Sequence, residues 1–208
     1  MENIRWLIIV FSVGFLAFIV FIIKWAIQYS RKQKEVFANV SMALGALYDK
    51  DDWKTQPKMT GIINEREYEV TLHVVSTGQS SVTYLDLKTP TDSSLGHLTV
   101  KKASGAGRFF KKIGLNKPLD SGDPYFNKKV MVKGEPEQDI LAVLNGGYFK
   151  EPAVQLTTRG YSITINKKKE NRLVASKVYN FKKDMSEPTI RTDLQSLISL
   201  VKAIENKV

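Results

Sequence analysis

Residues 6–23 read WLIIVFSVGFLAFIVFII, a run from Trp6 to Ile23 with no charged side chain and only Ser12 and Gly14 interrupting its apolar character. At about 1.5 Å of helical rise per residue the run covers roughly 27 Å, close to the thickness of about 30 Å of a bilayer's hydrocarbon core. Lys24 and Trp25 follow directly, a cation and an aromatic of the kind that settle at the membrane interface. Fourteen of the residues are Leu, Ile, Val or Phe, which at about −0.3 to −0.6 kcal/mol each contributes roughly −4 to −8 kcal/mol toward insertion. A core helix of a soluble protein is rarely apolar on every side. A cleaved leader has a shorter apolar region followed by small residues, where this chain has Lys24, Trp25, Ile27, Gln28 and Tyr29. The run therefore reads as an uncleaved, single-pass anchor whose partner is the lipid bilayer.

The flanks set its direction. Arg5 precedes the span and is offset by Glu2, whereas Lys24, Arg31, Lys32 and Lys34 follow it. Cations accumulate on the cytoplasmic side of a span, so the expectation is a cell-membrane protein with its C-terminal domain in the cytoplasm. The absence of cysteine agrees with a reducing compartment without requiring one.

Three regions follow from this: 1–30 as the anchor with its flanks, 31–57 as a helical stalk and linker, and 58–208 as one cytoplasmic domain, since what remains suits a single fold better than two. The net charge is +10, from 31 Lys and Arg against 21 Asp and Glu, a balance that favours anionic surfaces such as lipid headgroups or acidic proteins. Nucleic acid is not expected as a partner, because the lysines are dispersed and no reader motif accompanies them.

Along the chain, Val36, Phe37, Val40, Ala43, Leu44, Leu47 and Tyr48 fall at helical spacing, so the anchor helix is expected to continue to about residue 50. Alternation of Tyr68, Val70, Leu72 and Val74 with Glu69, Thr71 and His73 makes 67–75 a half-buried strand, paired through a tight turn with 58–64. Further strands are expected at 82–88, 98–102 and 128–133, a helix at 135–145, a hairpin of 153–158 with 161–166 turned by Arg159 and Gly160, and a strand at 173–181. The last helix begins near Pro188 and carries Ile190, Leu194, Leu197, Ile198, Val201 and Ile204 on one stripe, with Glu187 and Asp193 suiting its positive end. Such a stripe needs a sheet to cover, and the apolar stripes are complete within 58–208. The fold class expected is α+β, an N-terminal transmembrane helix followed by a mostly antiparallel β domain with one or two packed helices.

Catalytic signatures are few in this chain. There is no cysteine nucleophile, His73 and His97 lack a second ligand at metal-binding spacing, and Gly105 to Arg108 lacks the strand and helix that bracket a phosphate loop. No metal and no cofactor are implied. The most distinctive string runs SGDPYFNKKVMVKGEP from Ser121. Asp123 can cap a helical turn begun by Pro124, with Phe126 plugging the core, a structural reading preferred to acid–base work by Asp120 and Asp123. The string resembles a pattern in uncharacterised bacterial membrane proteins, where Gly-Asp-Pro-x-Phe precedes a Phe-x-Val-x-Gly strand and a short helix. Gly122, Asp123, Pro124 and Phe126 carry the likeness, while Asn127 stands where that family tends to have Asp, and Val130 where it has the second Phe. The resemblance implies a membrane-associated protein and brings no active site with it.

Residues 101–117, KKASGAGRFFKKIGLNK, form the clearest interaction candidate. Lys101, Lys102, Arg108, Lys111, Lys112 and Lys117 are basic, no residue is acidic, and Phe109, Phe110, Ile113 and Leu115 are apolar. That combination suits the surface of an anionic membrane, and it equally suits a solvated basic loop with its two Phe side chains packed on the domain. The function expected is a membrane-anchored, non-catalytic interaction or membrane-surface-binding module. The rival is a hydrolase or transferase with a site of carboxylates and basic residues that leaves no local signature.

Overall fold

One helix, α1 (Glu2–Leu44), holds both the apolar run and a part of the domain core. The computed structural model describes residues 2–49, 56–76, 78–93, 95–103, 118–166 and 170–206. Within them α1 is long and apolar enough to cross a membrane, and none of its apolar window is buried. Twenty-odd residues on, the same helix buries Phe37 completely and Val40 nearly so. It stops at Leu44 rather than near residue 50, because Gly45 takes a left-handed φ of 67°, the conformation that ends helices at least cost with glycine. Tyr48, expected on the helical stripe, instead lies on a short edge strand, β1 (Leu47–Asp49), with its ring 6.0 Å from that of Phe37.

The domain is α+β, and all eight of its described strands join one antiparallel sheet. They are β1, β2 (Lys58–Ile63), β3 (Arg66–Ser76), β4 (Ser81–Pro90), β5 (His97–Lys102), β6 (Val130–Glu135), β7 (Ser162–Asn166) and β8 (Glu170–Val178), in the spatial order β1-β2-β3-β4-β8-β7-β5-β6. Register carries the alternation across the sheet: Val70 faces Leu87, Leu87 faces Ala175, and Ala175 faces Ile163, all buried on one side. The other helices among the described residues are α2 (Pro124–Lys129), α3 (Glu137–Asn145), α4 (Lys150–Thr158), α5 (Phe181–Asp184) and α6 (Glu187–Glu205). The long helix α6 lies over β4 and β8, and α4 lies over β5, β6 and β7. Ile190, Leu194, Leu197, Val201 and Ile204 are wholly buried there, as their stripe requires.

Further expectations change, among them the strand read as 173–181, which ends at Val178, with Phe181 opening a helix. Residues 153–158 are not a strand but most of α4, whose buried Pro152, Ala153, Leu156 and Thr157 recur at helical spacing. Packing against α6 overrides the weak β preference of Val154 and the two threonines, and Thr157 satisfies its hydroxyl on the Ala153 carbonyl at 2.7 Å. The apolar stripes are also not complete within 58–208, since Phe37 and Val40 of the region read as stalk belong to the core.

Candidate membrane-facing surface

The candidate surface lies where α1 leaves the domain. Trp25 stacks on Tyr29 one turn later, and the Tyr29 ring meets Phe181 of α5 with centroids 5.9 Å apart. Tyr29 stands six residues beyond Ile23, or about 9 Å along the axis. If residues 6–23 fill the hydrocarbon core, that height falls at the outer edge of the headgroups, which occupy about 5 to 8 Å on each side.

α5 is a single turn held from both sides. Asn180 caps it by accepting from the Lys182 N–H at 3.2 Å, and Asp184 reaches back to accept from the Asn180 N–H at 2.6 Å. The other oxygen of Asp184 accepts from Lys177 Nζ at 2.9 Å, and the Lys177 side chain is 5% exposed. Lys177 also lies 3.6 Å from Asp193 and 4.4 Å above the Tyr161 ring. Asp193 has no exposure at all, and it accepts from the Tyr161 hydroxyl at 2.9 Å and from Arg159. A charge this deep survives only when each partner is present. Burial, the Asp193 carboxylate and the more distant Asp184 push the Tyr161 hydroxyl far above its ordinary value, with Arg159 opposing. The only acid of α5 is therefore turned inward, and the cations Lys182 and Lys183 are exposed.

The sheet brings further cations to the same end. Glu205 at the far end of α6 accepts from Arg66 at the start of β3 and from the Asp92 N–H at 2.9 Å. The beginning of α6, next to α5, thus lies toward the β3–β4 turn, whose flanking Val74 and Val75 are exposed. Following register from Tyr84 to Val178, then from Ser176 to Ser162, places the exit of β5 at this end too. Lys101 and Lys102 are exposed there, and the Ala103 N–H donates to the Lys129 carbonyl at 2.8 Å, which adds Lys128 and Lys129 of α2. Arg108, Phe109, Phe110, Lys111, Lys112 and Lys117 lie outside the described residues.

The Gly122 to Phe126 string is an internal brace. Asp123 Oδ1 accepts from the N–H groups of Tyr125 and Phe126 at 2.9 and 3.1 Å. The Phe126 bond, with that of Tyr125 and the nearby Lys150 ammonium, holds the Asp123 carboxyl below its ordinary range against partial desolvation. Phe126 is buried against Phe149. Asn127 locks this turn: its amide donates to Asp120 at 2.6 Å while its oxygen accepts from the Ser121 hydroxyl at 2.9 Å. An ionised Asp there would set one carboxylate against another. Gly134 is equally constrained, since a Cβ would fall 2.2 Å from the His97 carbonyl oxygen.

Two other places are chemically equipped. On the sheet face away from the helices, Glu69 is held by Lys58 and Lys88 at 3.2 Å and Arg172 at 3.0 Å. Burial works to raise its carboxyl, and the three cations outweigh that, leaving it below the ordinary value. Four residues along β3 on the same face, His73, read from sequence as solitary, stacks on Tyr84 and has Nδ1 2.9 Å from Asp86 Oδ2. Between α4 and α6 an open groove of about 770 Å³ is lined by Tyr148, Phe149, Pro152, Gln155, Ser196 and Lys202. Among the described residues no group of three His, Cys, Asp or Glu side chains is placed to hold a metal ion.

Sequence reasoning missed Lys177 and Asp184 and read Asp193 only as a charge suiting the helix end, although a signal for its burial was present. Asp193 sits three residues after Ile190 and four before Leu197, on the stripe itself, and Lys177 continues the inward alternation of Leu173 and Ala175. Comparison with family models, with curated proteins and with solved structures finds no match for this chain.

Proposed function

We propose that the protein is a single-pass membrane protein whose C-terminal domain works in the cytoplasm as a non-catalytic interaction module held against the inner leaflet. The observation that carries this reading is the double character of α1: Phe11, Phe15, Phe18 and Phe21 are all more than half exposed, while Phe37 of the same unbroken helix is buried. An apolar helix left bare by its own domain is covered by lipid, and its continuity into the core argues for an anchor that is kept. The excess of cations after the span orients the domain to the cytoplasm, and the likeness of the Gly122 to Phe126 string to membrane proteins is in keeping with this. Lys101 and Lys102, the described residues that open the basic segment 101–117, lie at this end, and each cation near an anionic leaflet adds about 1 kcal/mol. A partner protein on this surface would be acidic.

The test is a pair of C-terminal fusions. Fluorescence from a cytoplasmic reporter together with silent alkaline phosphatase is expected; active phosphatase with a dark reporter would sink the reading. The second reading, a hydrolase or transferase, is favoured by one observation, the His73–Asp86 pair on the same sheet face as the Glu69 cations. It predicts that His73→Gln abolishes a turnover that the intact protein displays on anionic esters, whereas the interaction module displays none.

A further inference from the structure

We infer that α5 and the emerging turns of α1 form a headgroup-binding surface selective for anionic phospholipids, and that this contact fixes the pose of the domain on the bilayer. The inference rests on the membrane reading above and names the partner at the same end of the fold. Between Lys24 and Lys34, α1 carries no acid. Lys32 follows Tyr29 by three residues and shares the side on which Phe181 packs, whereas Lys24 and Arg31, seven residues apart, share the opposite side. Lys182 and Lys183 add two exposed ammonium groups to the Phe181 side, and Asp184, which could have neutralised them, is taken inward by Lys177 and the Asn180 N–H. Cations thus surround the stem, Lys24 at the foot of the headgroup layer and Arg31 and Lys32 about 4 to 6 Å beyond its outer edge, on side chains long enough to bend toward the phosphates. The contact is continuous with the span, so the anchor presents this surface to the leaflet in every molecule, and the lipid that complements it carries negative charge. The folded pose contributes what a flexible tether would lack, because the buried Lys177 fixes α5 against the sheet.

The test uses the full chain in lipid nanodiscs. Because the protein has no cysteine, Val178→Cys supplies one labelling position, exposed and next to Tyr179 at the same end. A fluorophore there is read against a quencher on lipid headgroups. Discs containing phosphatidylglycerol are expected to quench about threefold more than discs of phosphatidylcholine alone, and the difference is expected to vanish as ionic strength approaches about 1 M, where the Debye length is about 3 Å. Lys182→Glu with Lys183→Glu should bring quenching down to the phosphatidylcholine level with an unchanged melt, while Lys202→Glu, at the far end of α6, should leave it intact. Equal quenching in both lipids overturns the inference, as does a lipid dependence that survives the double reversal. Either failure leaves the reporter-fusion result standing, so loss of the lipid contact and loss of the membrane reading are told apart.

Discussion

Lys177 Nζ and Asp184 Oδ1 lie 2.9 Å apart with 5% and 13% of their side chains exposed, and this pair joins the last long strand to the turn that meets α1. Lys177→Met leaves Asp184 and Asp193 buried without their shared cation. Removing one member of such a pair costs about 3 to 5 kcal/mol. Urea unfolding of the variant should show that loss, and a cross-link between positions 29 and 181 should weaken in parallel. A variant as stable as the parent would mean that the network is incidental to the fold.

Tyr161 sets an alkaline limit. Its hydroxyl keeps a proton in the folded protein at pH values where the unfolded chain, near pH 10, has lost it. The unfolded state then binds fewer protons, so stability falls as pH rises above about 10. Tyr161→Phe should flatten part of that decline, the remainder belonging to Tyr179, Tyr68 and Tyr48, whose hydroxyls burial also raises. At pH 7 the same change should cost about 1 to 3 kcal/mol, because Asp193 loses a donor. Melting temperatures across pH 7 to 11 decide both points.

Glu69 governs the acid side with the opposite sign. Its folded carboxyl titrates below the unfolded value of about 4.3, so its contribution is present above that pH and is lost as pH falls through the folded value. Glu69→Gln should flatten the acid limb. The loss at pH 7 should be only about 1 kcal/mol, since Lys58 and Arg172 are each about 40% exposed and solvent screens them.

The boundary of the folding unit can be measured directly. A fragment of residues 30–208 should melt cooperatively, and one of 58–208, lacking Phe37, Val40 and β1, should be markedly less stable. Phe37→Ala in the longer fragment should cost about 3 to 5 kcal/mol. Equal melts for the two fragments would show that the stalk adds nothing to the core.

Leu197, fully buried in the middle of α6, gives an independent check on the sheet-covering helix. Leu197→Ala should cost about 2 to 5 kcal/mol, read from the midpoint shift in urea at unchanged slope. A shift within error would place that helix elsewhere.

The chain alone determined what depends on local pattern: the bare apolar run, the alternating strands from Lys58 to Lys102, the stripe of α6 and the cap that Asp123 gives to Pro124, because periodicity and capping are written within a few residues. Residues 153–158 were misread because Val154 and the threonines favour a strand only until α6 lies beside them, a contact made about forty residues away. The Asp193 carboxylate was visible on an apolar stripe, yet that Arg159, Tyr161 and Lys177 would meet it depended on how β7 and β8 pair. The union of α5 with Tyr29 likewise belongs to the tertiary structure, since no local signal brings together residues 152 positions apart. Sequence set which segments are apolar, paired or capped; long-range packing decided which charges are buried together and which cations gather where α1 leaves the domain.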